Sequence, residues 1–282
     1  VPNGRPLWAD LPQRLGSAAW KAGDRMYHRL RILDDTRIDG WRRRRQAHLS
    51  VHLRHLSTGH QSVIPFKGGY FADPFVWHRD GRLWLFVEAF VYARDRGHLS
   101  VLGLDETFTV TSSETVHFSP DVVALDCHAS FPYIFELDGE MYMIPETHER
   151  RAVDLFVCER WPSRWRLVRR LLFGLDAADT MVVTHGGLWY LITSVQGDRP
   201  NRHLEIHHTD NLFSGSFTPH PVNSQFIYGN DRNGTGRNAG FIGQQQDGSL
   251  LRLMQDSPNH YGEGIRPMHV TMLTPSLFQE EP

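Results

Sequence analysis

The sequence predicts an all-β protein: a five-bladed β-propeller with a short N-terminal helical or irregular extension. One pattern, repeated four times, carries most of that expectation. It first runs Asp73-Pro74-Phe75-Val76-Trp77, then Asp80-Gly81, then Leu83-Trp84-Leu85-Phe86. It returns as Phe131-Pro132-Tyr133-Ile134-Phe135, Asp138-Gly139 and Met141-Tyr142-Met143-Ile144. The third copy is Asp179-Thr180-Met181-Val182-Val183, Gly186-Gly187 and Leu188-Trp189-Tyr190-Leu191. The fourth is looser: Asn238-Ala239-Gly240-Phe241-Ile242, Asp247-Gly248 and Leu250-Leu251-Arg252-Leu253. Each reads as a strand, a tight glycine turn and a second strand. The starts lie 58, 48 and 59 residues apart, a period that signals stacked β units. The second observation is that central strands such as 83–87 are apolar at every position. A sheet stacked between neighbours loses the alternation of a half-exposed strand.

The elements follow in chain order. Leu15, Ala19, Trp20, Met26, Tyr27, Leu30 and Leu33 recur at roughly helical spacing and suggest a short amphipathic helix. The basic run Arg42 to Arg45 suits a solvated edge or loop. We place residues 1–45 as an N-terminal extension and 46–282 as one propeller domain. Residues His48 to Leu56 alternate and read as a strand, before Pro65, Gly68 and Gly69 punctuate the chain. A third strand follows each hairpin, at 99–102, 153–157, 204–207 and 268–272. After three of these comes an outer segment with an aromatic: Phe108, Trp165 or Phe217. The fifth blade is expected from strands near 41–66, with the C-terminal tail completing it.

Composition narrows the partners. The chain has 282 residues, 40% of them hydrophobic, enough for a large core. A net charge of −2 argues against nucleic acid or an anionic membrane as an obligatory partner. No apolar run reaches the length of a membrane span. No basic-then-apolar leader is visible, so the expected compartment is the cytoplasm. Cys127 and Cys158 make no disulfide framework and read as free thiols in a reducing compartment. His203, His207 and His208 are expected on a solvent-facing outer strand, and no zinc-like spacing occurs. No cofactor and no metal are predicted, and no phosphate-binding glycine loop or nucleophile elbow is present. Gly234-Thr235-Gly236 reads as a flexible loop near the cavity.

The repeat also nominates a site. Innermost strands of a radial array start near a common axis, so equivalent positions converge. One equivalent set is Asp73, Phe131, Asp179 and Asn238; another is Glu88, Glu146, Ser194 and Gln255, with Asp256 beside it. Several carboxylates facing one cavity suit acid/base chemistry. Each also has a plainer explanation, since an Asp before Pro often only caps a turn. The candidate catalytic residues are Asp73, Glu146 and Asp179. Candidate substrate-binding residues are Glu88, His128, Arg237, Gln255, Asp256 and Tyr261. Trp77 and Trp84 offer stacking faces but suit a core better.

At these residues the chain resembles a family. Phe71-Ala72-Asp73-Pro74-Phe75, Phe131-Pro132 with Tyr142-Met143-Ile144-Pro145-Glu146-Thr147, Asp179-Thr180, and Gln255-Asp256 with Tyr261-Gly262 form one ordered series. It resembles the five-bladed propellers related to glycoside hydrolase family 43. The nearest subgroup is the propeller fused to plant glucosamine inositolphosphorylceramide transferases. The likeness implies an inverting-type site with Asp73 as general base and Glu146 as general acid. Phe131-Pro132 stands where the resemblance implies a second, pKa-tuning Asp. The family's acid comes from the following blade, where this chain has Ser194. The expected function is therefore a carbohydrate-active enzyme on a sugar or sugar-like small molecule. The alternatives are a glycan-binding module serving a partner transferase, a biosynthetic enzyme with non-hydrolytic acid/base chemistry, and a structural scaffold.

Overall fold

The computed structural model describes residues 26–33, 48–119, 127–196, 202–227, 236–245, 248–256 and 263–282. Their twenty strands form five sheets. The first sheet holds β1 (Met26–Leu33), β2 (His48–His55) and β3 (Gln61–Ile64). The second holds β4 (Gly69–Arg79), β5 (Arg82–Val91), β6 (Arg96–Leu104) and β7 (Val110–Thr115). The third is built from β8 (His117–Phe118), β9 (Ser130–Leu137), β10 (Glu140–Glu146), β11 (Ala152–Arg160) and β12 (Arg164–Phe173). The fourth contains β13 (Ala177–His185), β14 (Leu188–Gln196), β15 (Arg202–Thr209) and β16 (Thr218–Pro219). The fifth contains β17 (Asn238–Gln244), β18 (Leu250–Asp256), β19 (Gly264–Leu273) and β20 (Phe278–Glu281).

The repeated hairpins form because their turns allow only one geometry. Asp80 and Gly81 have φ 53° and 71°, Asp138 and Gly139 52° and 82°, Gly186 and Gly187 55° and 80°. Two consecutive residues with positive φ make a type I′ turn, whose twist matches that of the flanking strands. Asp tolerates this region better than most side chains, and glycine enters it without strain. The turns fix the registers Arg79↔Arg82, Leu137↔Glu140 and His185↔Leu188.

Register sets which face each side chain takes. On β5, Leu85 and Val87 pack with Val51, Leu53 and Ile64 of the first sheet. Phe86, one step along, turns to the third sheet, where its ring meets Trp165 edge-on at 6.1 Å. Leu85, Phe86 and Val87 are all 0% exposed, so this strand has no polar face. Each such side chain contributes about 1.5–3 kcal/mol by burial. The inner strands adjoin in succession: β4 beside β9, β9 beside β13, and β13 beside β17. A β-carbon on Gly240 of β17 would lie 3.5 Å from the Phe75 ring of β4. The sheets are therefore arranged as a propeller-like ring around these strands.

Three expectations change. Met26, Tyr27, Leu30 and Leu33 lie in strand β1, which pairs along its length with β2, and not in a helix. Leu15, Ala19, Trp20 and Arg42 to Arg45 fall outside the described residues. The C-terminal tail does not complete the first sheet: β20 pairs with β19. A tight turn joins them, with Thr274 N–H bonded to Leu277 O at 2.9 Å. Closing so short a loop costs far less entropy than reaching back across the chain. His203 and His207 are also buried, not solvent-facing, and each places Nε2 3.1 Å from Glu205 on the same face of β15. Cys127 and Cys158 are free thiols.

Candidate functional site

The repeat position is a distorted one in three sheets. Asp73, Phe131 and Asp179 have φ 46°, 44° and 53°. The ladder slips between Ala72 and Phe75, and again between Ala178 and Met181. Each inner strand therefore carries a bulge with a left-handed residue, which re-aims its side chain. Asp accepts that conformation readily; Phe131 is bulky, and its strain costs roughly 1–2 kcal/mol.

Two of these three bulge amides are held by a carboxylate from the preceding sheet. Phe131 N–H donates to Asp73 Oδ2 at 3.1 Å, and Asp179 N–H donates to Glu146 Oε2 at 3.1 Å. From the next sheet, Asn238 Nδ2 donates to the Asp179 carbonyl at 2.7 Å. Asp73, Glu146 and Asp179 thus meet at the centre, joined sheet to sheet. Arg237, just before β17, grips Asp179 Oδ2 through Nε at 2.7 Å and Nη2 at 2.6 Å. Gln255 Nε2 approaches the same oxygen at 3.5 Å and donates to Asn238 O at 3.1 Å.

Glu88, on β5, is 6% exposed. Its Oε1 lies 3.3 Å from His128 Nε2. Gly97 N–H donates to His128 Nδ1 at 3.0 Å. That nitrogen must be the acceptor, so neutral His128 carries its proton on Nε2, towards Glu88. Gly97 is required here, because a β-carbon would sit 2.4 Å from Glu88 Oε1 and 2.8 Å from His128 Cε1. On the other side, His148 Nδ1 stands 3.4 Å from Glu146 Oε1, at ion-pair distance but without hydrogen-bond alignment. The two imidazoles are 6.1 Å apart.

Crowding separates the charge states. Burial, then the charges of Asp179 and Glu146, push Asp73 up to about 7, against the Phe131 N–H and Arg237. Burial and the charges of Asp73 and Glu146 push Glu88 up to about 9. Burial pushes Asp179 up to about 6 although Arg237 opposes it, which leaves it mostly ionised at pH 7. Burial acts on Glu146 in the same sense, yet His148, Arg237, the Asp179 N–H and Arg202 outweigh it and hold Glu146 below the usual range. His148 is raised by its pairing with Glu146, and burial lowers His128. These partners favour the ionised form of Glu146.

A pH dependence follows from these directions. In the folded protein Glu88 and Asp73 bind protons that the unfolded chain releases near pH 4. Their contribution is fully present below that pH and is lost as pH rises through about 7 for Asp73 and about 9 for Glu88. Glu88→Gln keeps the shape of the neutral acid. It is expected to flatten the fall in unfolding free energy between pH 5 and 9, an effect of a few kcal/mol on the scale of ~1.4 kcal/mol per pKa unit. Urea unfolding across that range checks it; an unchanged slope counts against a protonated Glu88.

The other candidates sort clearly. Asp256 does not join the cluster: Arg266 binds its Oδ2 at 2.7 and 3.1 Å. Tyr261 lies outside the described residues, as do Gly234 and Thr235. Trp77 and Trp84 are buried core. His148 and Arg202 were not anticipated from sequence. Arg202, at the start of β15, binds Asp176 at 2.7 Å and contributes to the field on Glu146. Only the neighbourhood of His148, two residues beyond Glu146, could have flagged it.

The ring of sheets defines the class: a β-propeller with the fold of solved glycoside hydrolase family 43 proteins. The exo-β-1,3-galactanase of Clostridium thermocellum superposes with TM-score 0.57 at 15% identity, over 83% of this chain and 55% of that one. The α-L-arabinofuranosidase of Clostridium thermocellum ATCC 27405 gives 0.56 at 9% identity, over 92% and 89%. These likenesses concern the fold alone. Within that class, the chain belongs to the family described as "Glucosamine inositolphosphorylceramide transferase 1, N-terminal", whose model matches residues 37–282. The glucosamine inositolphosphorylceramide transferase 1 of Arabidopsis thaliana is 31% identical over 219 residues, 75% of this chain and 27% of the plant protein. Its counterpart in Oryza sativa subsp. indica is 30% identical over 232 residues, 78% and 29%. The chain thus spans less than a third of these relatives.

Proposed function

We propose that the central carboxylate cluster binds a sugar or sugar-like molecule and acts on it by acid/base chemistry. One observation carries this reading: two buried carboxylates of one cluster are driven apart in proton affinity. Glu146 is held ionised, whereas Asp73 titrates near neutrality. Such separation of paired carboxyls supplies a base and an acid at one pH. In this reading Glu146 accepts a proton and Asp73 donates one, the reverse of the roles the family resemblance implies. Asp179 keeps Oδ1 clear of the Arg237 and Gln255 contacts, which all fall on Oδ2. That oxygen, with Glu88 and His128, is suited to sugar hydroxyls.

The test compares turnover of aryl glycosides by the wild type, Asp73→Asn and Glu146→Gln. Loss of a positioned acid or base is expected to cost on the order of 10²–10⁴-fold in kcat. Unchanged turnover in both variants would remove this mechanism.

A second reading is a binding module that presents a glycan or glycolipid headgroup to a transferase. It is supported by the family's description as the N-terminal part of a transferase and by the chain's coverage of 27% of the Arabidopsis relative. Calorimetry with a panel including glucosamine and an inositolphosphoryl sphingolipid separates the two. Saturable binding without turnover favours the module.

A further inference from the structure

The 3₁₀ turn at residues 148–150, just beyond Glu146, is tied down on several sides. Within it, Arg150 N–H donates to Thr147 O at 2.9 Å and Arg151 N–H to His148 O at 2.8 Å. Arg150 also reaches Asp154 on β11 at 3.2 Å. Asp154 is 1% exposed and receives Arg170 Nε at 2.9 Å. Towards the centre, Glu149 accepts the His128 N–H at 3.3 Å. A side chain on so constrained a backbone has a set position relative to the carboxylates.

That side chain is His148. Its Nδ1 is buried, makes no hydrogen bond and stands 3.4 Å from Glu146 Oε1. A buried polar nitrogen left unpaired costs free energy, and its persistence points to a role beyond packing. The rest of the ring is not shut in: the side chain is 31% exposed, against 10% for Glu146. The two oxygens of Glu146 are engaged differently. Oε2 accepts the Asp179 N–H at 3.1 Å, and Oε1 faces the ring. The charged and titratable groups around the imidazole are Glu146, Asp176, Arg202 and, at 6.1 Å between rings, His128, with Glu149 next in the chain. Pairing with Glu146 has the largest influence and raises the ring's proton affinity.

We propose that His148 is the proton outlet of Glu146, carrying to water the proton that this carboxylate takes from the substrate, a role that rests on the acid/base reading of the cluster. In the transfer the O–H bond of the Glu146 carboxyl breaks and an N–H bond forms at Nδ1, giving carboxylate and imidazolium. The imidazolium then loses its Nε2 proton to water, and exchange with water restores the starting tautomer. No other bond changes, and no co-reactant besides water is required.

The experiment compares His148→Ala and His148→Gln with the wild type and Glu146→Gln in turnover of aryl glycosides, with and without added imidazole. His148→Ala is expected to lower kcat roughly 10–100-fold at unchanged KM, below the order of 10²–10⁴-fold for a group that exchanges a proton with the substrate. Imidazole should restore kcat in His148→Ala, which leaves room for it, and not in His148→Gln or Glu146→Gln. A ring that served packing alone would not be replaced in this way. Thermal unfolding verifies that the variants fold. NMR titration of the His148 ring reads the pairing without turnover: its midpoint should fall in Glu146→Gln. Unchanged kcat in His148→Ala, a loss that imidazole does not rescue, or an unmoved midpoint overturns the outlet, while an inactive Glu146→Gln leaves the acid/base reading standing. Turnover that is equal in the wild type and Glu146→Gln, or absent from both, removes that reading and the outlet with it.

Discussion

Arg237→Met is expected to lower the unfolding free energy at pH 7 by about 3–5 kcal/mol, the range for removing one partner of a buried ion pair. Asp179 is 2% exposed and receives both guanidinium bonds on one oxygen, at 2.6 and 2.7 Å. Without Arg237 its charge faces Glu146 and Asp73 with less compensation. The sign with pH is specific. Asp179 already sits near 6 with its partner in place, and losing a cation raises it further. Below that pKa the carboxyl is neutral, so the variant should recover about 1–1.5 kcal/mol of its deficit as pH falls from 7 to 5. Urea unfolding at both values measures this. A deficit that stays constant, or grows on acidification, would show that Arg237 acts through packing. Adding Asp179→Asn to Arg237→Met should restore most of the loss at pH 7.

The second large effect concerns the tail. Arg252 is 0% exposed, yet carries a full charge into the fifth sheet. Glu280 of the last strand meets it twice, Nε to Oε2 at 2.8 Å and Nη2 to Oε1 at 2.6 Å. Its third group, Nη1, donates to Asn238 Oδ1 at 2.8 Å, and Asn238 in turn donates to the carbonyls of Asp179 and Ile192. The C-terminal strand is thereby connected to the carboxylate cluster at Asp179 through Arg252 and Asn238. Glu280→Gln should cost about 3–5 kcal/mol, because it removes the negative charge that meets this buried guanidinium through two bonds. Arg252→Met/Glu280→Leu should cost much less, since the desolvation of both ions disappears with them. A double variant at least as unstable as Glu280→Gln would contradict this account.

The hairpins were legible because their information is local. Asp80-Gly81, Asp138-Gly139 and Gly186-Gly187 dictate turn geometry within two residues, and the apolar strands beside them leave no face for water. The central cluster was partly legible for the same reason: equivalent positions in a repeat occupy equivalent places. Glu88 and Gln255 were brought to Asp73, Glu146 and Asp179 as that equivalence implies, and His128 and Arg237, which precede the second and fourth repeats, came with them. Asp256 was not brought in: Arg266, which stands opposite Met254 on β19, binds its carboxylate instead. His148 escaped notice because no periodicity marks it; it reaches Glu146 through a 3₁₀ turn at residues 148–150. The fate of Met26 to Leu33 was misread because a helical spacing of apolar residues also fits a strand once a partner such as β2 is available.

The sequence by itself determined the repeating β architecture, its turns and the short set of acids near the axis, since each depends on neighbours a few residues away. Only the tertiary structure decided which acid is charged. Asp73 and Glu146 come from different sheets, and the cations and amides that set their protonation come from others again. Electrostatic coupling depends on distance through folded space and on exclusion of water, neither of which is written in the spacing of residues along the chain.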